Sequence, residues 1–543
     1  MRTAVRKLVR TPALWAAALL FAGGCSSHIG EEQDDGGTAP PDLAVAGPYR
    51  DFPIAPVIDD QANGMTKTPG NAGDLFGDKN YGEPSGGPCL LEPEVGSLFP
   101  RNWLRMRVRF AAPAGQNLFE IRLHVENQVN DLVVYTVSDT WVMPADLWKR
   151  LTQHSAAQAM TIAVRGAKWN GSTLDGPPAL GSKGELRIAP AEAAGTIVYW
   201  TTTAGTKLKG FGIGEEGVRE VIQPAQSDTN VKCIGCHSST PDGDYVGYSQ
   251  TDDAGNGDPA YVGLRSVDRN ATEPPWLTAA AKNLLLRRKQ HHPTFSSAHY
   301  TTGDRMMVTA WQPAGASTYD LIWTDLEAKS EAEGTGWGVL ARMDDSRSIA
   351  SPTFSHFGNH VMYMSSSHVD SGIAGSDGDI YLVPWNNRKG GKASPLLGAS
   401  DPMWNESHPA FSPDDRFVAF NRVPVGQYSS NNPEQEIFIV SRGGGQPLRL
   451  DANDPPACSG KKSPGVNNSW PKWSPESTTV GGQQYYWLSF SSSRGAGPPQ
   501  LYVVGVVVDE TGVRTYKALY LWNQPAAEGN HTAAWDVFKL VVQ

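Results

Sequence analysis

Between about residues 96 and 190 apolar and polar positions alternate. Leu104-Arg105-Met106-Arg107-Val108-Arg109-Phe110 and Phe119-Glu120-Ile121-Arg122-Leu123-His124-Val125 put apolar side chains on one face of an extended chain and charges on the other. Half-buried antiparallel strands read this way. Residues 131–136, 160–165 and 185–188 supply further strands, and a short helix is predicted over 145–152, just behind Pro144. His124 falls on the polar face and is given no function.

Beyond residue 196 the pattern changes. Residues 196–202 and 207–213 read as a strand pair, and a signature then returns along the chain. Its copies are His292-Pro293-Thr294-Phe295-Ser296, Ser351-Pro352-Thr353-Phe354-Ser355, His408-Pro409-Ala410-Phe411-Ser412-Pro413-Asp414 and Trp470-Pro471-Lys472-Trp473-Ser474-Pro475, with a weaker His531-Thr532-Ala533-Ala534-Trp535. With Cys236 in the same column, the intervals are 56, 59, 57, 62 and 61 residues. So even a period marks a repeat architecture, and a four-stranded unit accommodates it if the outer loops are long. Six columns predict six blades. The last has chain left for about two strands, and residues 196–203 and 207–222 are placed to complete it and remove an exposed edge.

The signature resembles the TolB-like (WD40-like) repeats of periplasmic β-propellers, in which an aromatic-Ser-Pro-Asp-Gly turn joins the innermost strand to the second. The resemblance covers roughly residues 231–543. The copy at Phe354-Ser355-His356-Phe357-Gly358 lacks the Pro-Asp pair, so His356 reads as a turn residue rather than a ligand. The strands over 91–195 resemble fibronectin type III or immunoglobulin-like modules. The expected fold class is therefore all-β: a β-sandwich over 91–195, then a six-bladed propeller over 196–543.

Composition agrees with many short strands joined by turns: Gly 57, Pro 40 and Trp 17, with 19% charged residues. At the N-terminus Arg2, Arg6, Lys7 and Arg10 precede an apolar run from 13 to 22 and then Gly23-Gly24-Cys25. The run is too short to span a membrane and describes a secretory signal over 1–24. Small residues directly before Cys25 resemble the lipobox of bacterial lipoproteins, although Ala22 stands where Leu is more usual. That resemblance implies lipidation of Cys25, with residues 25–90, rich in Gly, Asp, Pro, Asn and Ser, as a flexible tether. Cleavage removes four positive charges and no negative ones, taking the net charge from −10 to −14. Nucleic acid and anionic lipid headgroups are disfavoured partners for such a surface.

Candidate chemistry centres on Val231-Lys232-Cys233-Ile234-Gly235-Cys236-His237. Two thiols three residues apart can each add across a vinyl group of one haem, with the following imidazole under the iron, so C-x-x-C-H reads as c-type haem attachment at residues 233–237. Cys233 and Cys236 would hold the haem and His237 would be its proximal ligand. A redox dithiol or zinc half-site is the bland alternative, but zinc needs a second ligand pair at suitable spacing, and His356 and His360 lie far along the chain. Candidates for the distal ligand are His292, His291, Met306 and Met307, and His292 is preferred because it occupies the same column of the adjacent repeat. Cys236, His292, His408 and His531 are all expected at one mouth of the central channel. Cys89 and Cys458 are expected to pair and staple two domains, although spacing does not fix connectivity. The acidic stretch 252–258 lacks the closing Glu of an EF-hand and reads as a solvated turn.

No nucleophile elbow, H-E-x-x-H or phosphate loop occurs, and no catalytic residue is assigned. Three functions follow: an exported electron carrier, a haem oxidoreductase or peroxidase with an open distal side, and a TolB-like interaction scaffold with a structural or sensory haem. The first is preferred, with a redox protein or another envelope protein as partner and a lipid anchor on the periplasmic or surface side of the outer membrane.

Overall fold

The alternating segments form strands, but their charges do not all face water. The computed structural model describes residues 47–60, 66–252, 260–370 and 372–541. The export segment 1–24, Cys25, the beginning of the tether and nearly all of the acidic stretch lie outside the described residues. The chain is all-β, with 44% strand and 7% helix.

The N-terminal region holds two sheets. One has six strands in the order Val57–Ile58, Leu132–Thr136, Leu118–Val125, Ala159–Ala167, Ala179–Ile188 and Leu98–Phe99; the other pairs Cys89–Glu92, Arg107–Ala111 and Thr140–Val142. Both feed one core, the first through Ile121, Leu123, Val134 and Ile162 and the second through Leu90, Val108, Phe110 and Trp141. The helix Ala145–His154 adds Leu147, Trp148 and Leu151 to it.

A flexible tether as far as residue 90 is corrected from Gly47 onward. Val57–Ile58 pairs in parallel with Val134 and Tyr135, and the short helix Ala72–Phe76 buries Ala72 and Phe76 against the sheet. That cover turns part of the expected polar face into an interior. Glu120 is 2% exposed, paired with Arg165 at 2.7 Å and accepting from the Tyr135 hydroxyl at 2.9 Å. A few apolar plugs without periodicity do the covering, which is why the alternation did not register them.

The repeat forms a ring of sheets. Their inner strands are Cys233–Ser239, Gln290–Thr294, Ser348–Phe354, Trp404–Phe411, Asn468–Trp473 and Asn530–Asp536. Each lies against the next, and the last lies against the first. This cyclic order defines a propeller-type arrangement. The last sheet is composite: Thr196–Thr201 pairs antiparallel with Asn530–Asp536, bringing Ile197 opposite Trp535, and Lys207–Gly212 and Arg219–Ile222 follow outward.

The N-terminal sheets are fastened to the ring. Cys89 and Cys458 form a disulfide across 369 residues of sequence, and the buried Arg494 guanidinium meets Glu94 at 2.9 Å. Trp535 donates its indole N–H to the Ala194 carbonyl at 2.8 Å, and Trp487 and Trp535 enter the same core as the N-terminal strands. Ile197 is fully buried at the closing ladder. Placing a carboxylate there in Ile197→Asp should lower the thermal midpoint by at least about 5 °C, because an unpaired buried charge costs several kcal/mol. Scanning calorimetry checks this; an unchanged midpoint would mean that the closing ladder contributes nothing.

Candidate functional site

Every inner strand carries the same local distortion. Cys236, His292, Ser351, His408, Trp470 and Thr532 have φ of 32°, 53°, 47°, 51°, 58° and 42°. The ladder register shifts at each of these points. A non-glycine residue in the left-handed region costs about 1–3 kcal/mol, and a bulge re-aims the side chain it carries. Four of the six are followed by proline, which has no N–H to offer a ladder and so suits a bulge. The bulged amides find partners on the second strand of the preceding sheet: His292 N–H on Ser249 Oγ at 3.2 Å, Trp470 N–H on Asn421 Oδ1 at 2.9 Å and Thr532 N–H on Ser491 Oγ at 3.1 Å.

The re-aimed side chains converge on one central pocket, a cavity of about 50 Å³ lined by all six of them together with His237 and Lys472. Around 10–15 Å³ on this measure holds one water. The cavity therefore has room for about three to five water-sized atoms.

Cys236 and His237 are both on the pocket, and His237 stands where other copies carry Pro293, Pro352, Pro409 or Pro471. His237 donates from Nε2 to the Val198 carbonyl at 3.0 Å, which leaves Nδ1 an acceptor that is buried and has no partner. Burial holds its pKa down at about 4 and pushes the Cys236 thiol up to about 12, so both groups are neutral. Cys233 opens the strand outside the pocket lining, its neighbour Ile234 donating to Thr206 Oγ1 at 2.9 Å.

Of the expected distal groups, only His292 lines the pocket. Its Nε2 is buried without a partner and its ring stacks on Trp470 at 6.2 Å. His291 turns away and packs edge-on against Tyr319 at 5.7 Å. Met306 and Met307 are fully buried on the second strand, one in each of two separate apolar clusters. His408 lines the pocket as expected of its column, with its ring 3.7 Å from that of Trp470. His531 does not; it packs on Trp200 at 6.0 Å, and Thr532 takes the sixth position. The last copy lacks the proline that marks the column elsewhere, so the alignment slipped by one. His356 is in a turn, with Nδ1 2.9 Å from Asp415.

Lys472 and Trp470 were quoted only as part of the signature. The signal that could have singled out Lys472 is its place two residues beyond the column, where the other copies carry Ser238, Thr294, Thr353, Ala410 and Ala534.

The donor set can be tested against haem. An imidazole with one ring nitrogen on a backbone carbonyl and the other unpartnered is the arrangement of a metal-ligating histidine, and Cys233 and Cys236 are both free thiols. These residues fit attachment. The cavity does not hold a porphyrin, so the macrocycle would have to lie outside it. Among the described residues no three His, Cys, Asp or Glu side chains converge on one metal position.

No family model matches this chain, and no curated protein matches it. Solved structures do. Hydrazine synthase of Kuenenia stuttgartiensis is 11% identical with a TM-score of 0.38, covering 63% of this chain and 47% of its own. A chain of a nidogen/laminin complex is 8% identical with a TM-score of 0.36, covering 63% and 98%. AFV00434, an ancestral GH74 enzyme, is 10% identical with a TM-score of 0.36, covering 61% and 39%. This chain thus matches about half the length of the hydrazine synthase chain. These likenesses carry no chemistry, and the propeller form rests on the sheet order given above.

His408 gives a pH test. Its ring is 4% exposed and burial holds its pKa at about 3, below the unfolded value of about 6.5. The stability that this depression contributes is complete above pH 6.5 and is lost progressively as pH falls toward 3, amounting to about 2–3 kcal/mol by pH 4.5. His408→Gln should therefore show a shallower fall of the thermal midpoint between pH 6.5 and 4.5 than the wild type; parallel curves would mean that His408 titrates normally.

Proposed function

We propose that this chain is an exported, c-type cytochrome-like lipoprotein that carries one covalent haem and passes electrons. In this reading the six sheets of the ring are six blades, the N-terminal sheets are an immunoglobulin- or fibronectin-like sandwich, and Cys25 is the lipid anchor in the cell envelope. Its partner is a redox protein or another envelope protein. The observation that carries the reading is the C-x-x-C-H motif on an inner strand, with His237 held by Val198 and its Nδ1 left without a partner at the pocket.

Each residue has a distinct part. The thiols of Cys233 and Cys236 would hold the haem through one thioether bond each. His237 would be the proximal ligand, with the Val198 carbonyl fixing its tautomer. His292, with a buried unpartnered Nε2, would be the distal ligand. Haem so bound supplies reversible one-electron exchange between ferrous and ferric iron. The His237 Nδ1 and His292 Nε2 atoms are themselves buried at the pocket.

A haem stain on denaturing gels tests attachment. The wild type should stain, and Cys233→Ala, Cys236→Ala should not; equal staining of both would refute covalent attachment at this motif. The ligand assignment has its own test. His292→Ala should convert a low-spin spectrum into a high-spin one that binds carbon monoxide, whereas a wild type already high-spin would favour the oxidoreductase with an open distal side.

A further inference from the structure

The central pocket contains one feature that haem attachment does not use. Lys472 faces it, and among the described residues no hydrogen bond or ion pair holds its Nζ. It is the single charged side chain on the pocket lining, at a position where the five other copies place Ser, Thr or Ala. Asp536 is the acid whose charge reaches it, with no ion pair formed. The Lys472 side chain is partly exposed, so a ligand entering the pocket meets an ammonium that no acid pairs.

The remaining groups define what such a ligand is. Gln435 fixes the His408 tautomer: its amide nitrogen donates to the Ser429 carbonyl at 3.0 Å and lies 3.4 Å from His408 Nδ1, so Nδ1 accepts and Nε2 carries the hydrogen. That Nε2–H is buried and has no partner. Trp470 packs against the ring at 3.7 Å and holds its direction. A cation and a fixed N–H donor therefore border one cavity of about 50 Å³.

We infer that the central pocket binds a small monovalent oxyanion of three or four heavy atoms between Lys472 and His408. Charge-assisted hydrogen bonds from an ammonium and an imidazole are the strong kind for such a ligand. One ammonium balances one negative charge, so a monovalent anion suits the pocket better than a dianion. The inference deepens the proposed function by giving its pocket a ligand class, because Cys236 and His237 border the same space, but binding of the anion itself needs no haem.

The test is calorimetric titration of the full chain with sodium formate, sodium nitrate and, as a charge control, sodium sulfate, at constant ionic strength. The wild type should bind formate or nitrate saturably at one site and more tightly than sulfate. Lys472→Met should weaken binding by at least about tenfold, the loss of one charge-assisted hydrogen bond. His408→Gln should weaken it as well, and stands in if Lys472→Met fails to fold. Lys392→Met, on a side chain 73% exposed and outside the pocket, should leave it unchanged. No saturable binding of either small anion, or equal binding in folded Lys472→Met, overturns the inference. Staining the titrated wild-type chain for haem separates the two readings. Anion binding that depends on Lys472 in a chain that never stains for haem leaves this site standing and removes the haem; a stained chain that binds no anion does the reverse.

Discussion

A ring of sheets is only as secure as its seam. Here the seam is the antiparallel ladder between Thr196–Thr201 and Asn530–Asp536, which sets Ile197 opposite Trp535 and completes the last sheet from both ends of the ring sequence. Without it the sheet would end in an unpaired edge, and edges invite pairing with other chains. The same ladder leads Trp535 into the core shared with the N-terminal sheets, so ring closure and the docking of the N-terminal region depend on one set of side chains. Val198, on this ladder, also receives the His237 hydrogen bond. The seam thereby reaches the site.

The site itself is a product of backbone geometry. Six left-handed bulges, one per inner strand, turn six side chains toward a common axis. In an undistorted strand, neighbours alternate faces and the column residue would share its face with those two positions away. The bulge breaks that alternation, which lets the column residue and the next both reach the pocket, as Cys236 and His237 do. Backbone strain of this sort persists only where the surroundings impose it. At three of the six, the second strand of the preceding sheet does so, through Ser249, Asn421 and Ser491.

Much of the architecture was legible because it rests on period. The alternation around Phe119 and Ile121 gave the N-terminal strands, the Pro-x-aromatic spacing gave the ring, and the shortfall in the last copy pointed to residues 196–222. What escaped detection lacks a period. Ala72 and Phe76 cover a sheet face as isolated plugs, so a folded segment read as a tether. Met306 and Met307 are close to the column in sequence, yet they sit on a second strand whose two faces both meet apolar neighbours. His531 was placed at the pocket because the last copy has no proline to mark the bulge, and its neighbour Thr532 occupies that position. Lys472 was hidden in a signature dominated by its tryptophans; its charge becomes informative only against the uncharged residues of the other copies.

Closure by residues from both ends also imposes an order in time. Strand Thr196–Thr201 emerges in synthesis more than 300 residues before its partner, Asn530–Asp536. Until then the nascent protein holds an incomplete ring, with one edge open and the apolar side of Ile197 and Tyr199 uncovered. Such a species is prone to mispairing, so maturation of this chain is inherently post-synthetic. Under the export proposed above, that wait would fall on the far side of the membrane, where folding helpers of the cell envelope rather than of the cytosol would have to shield the open edge.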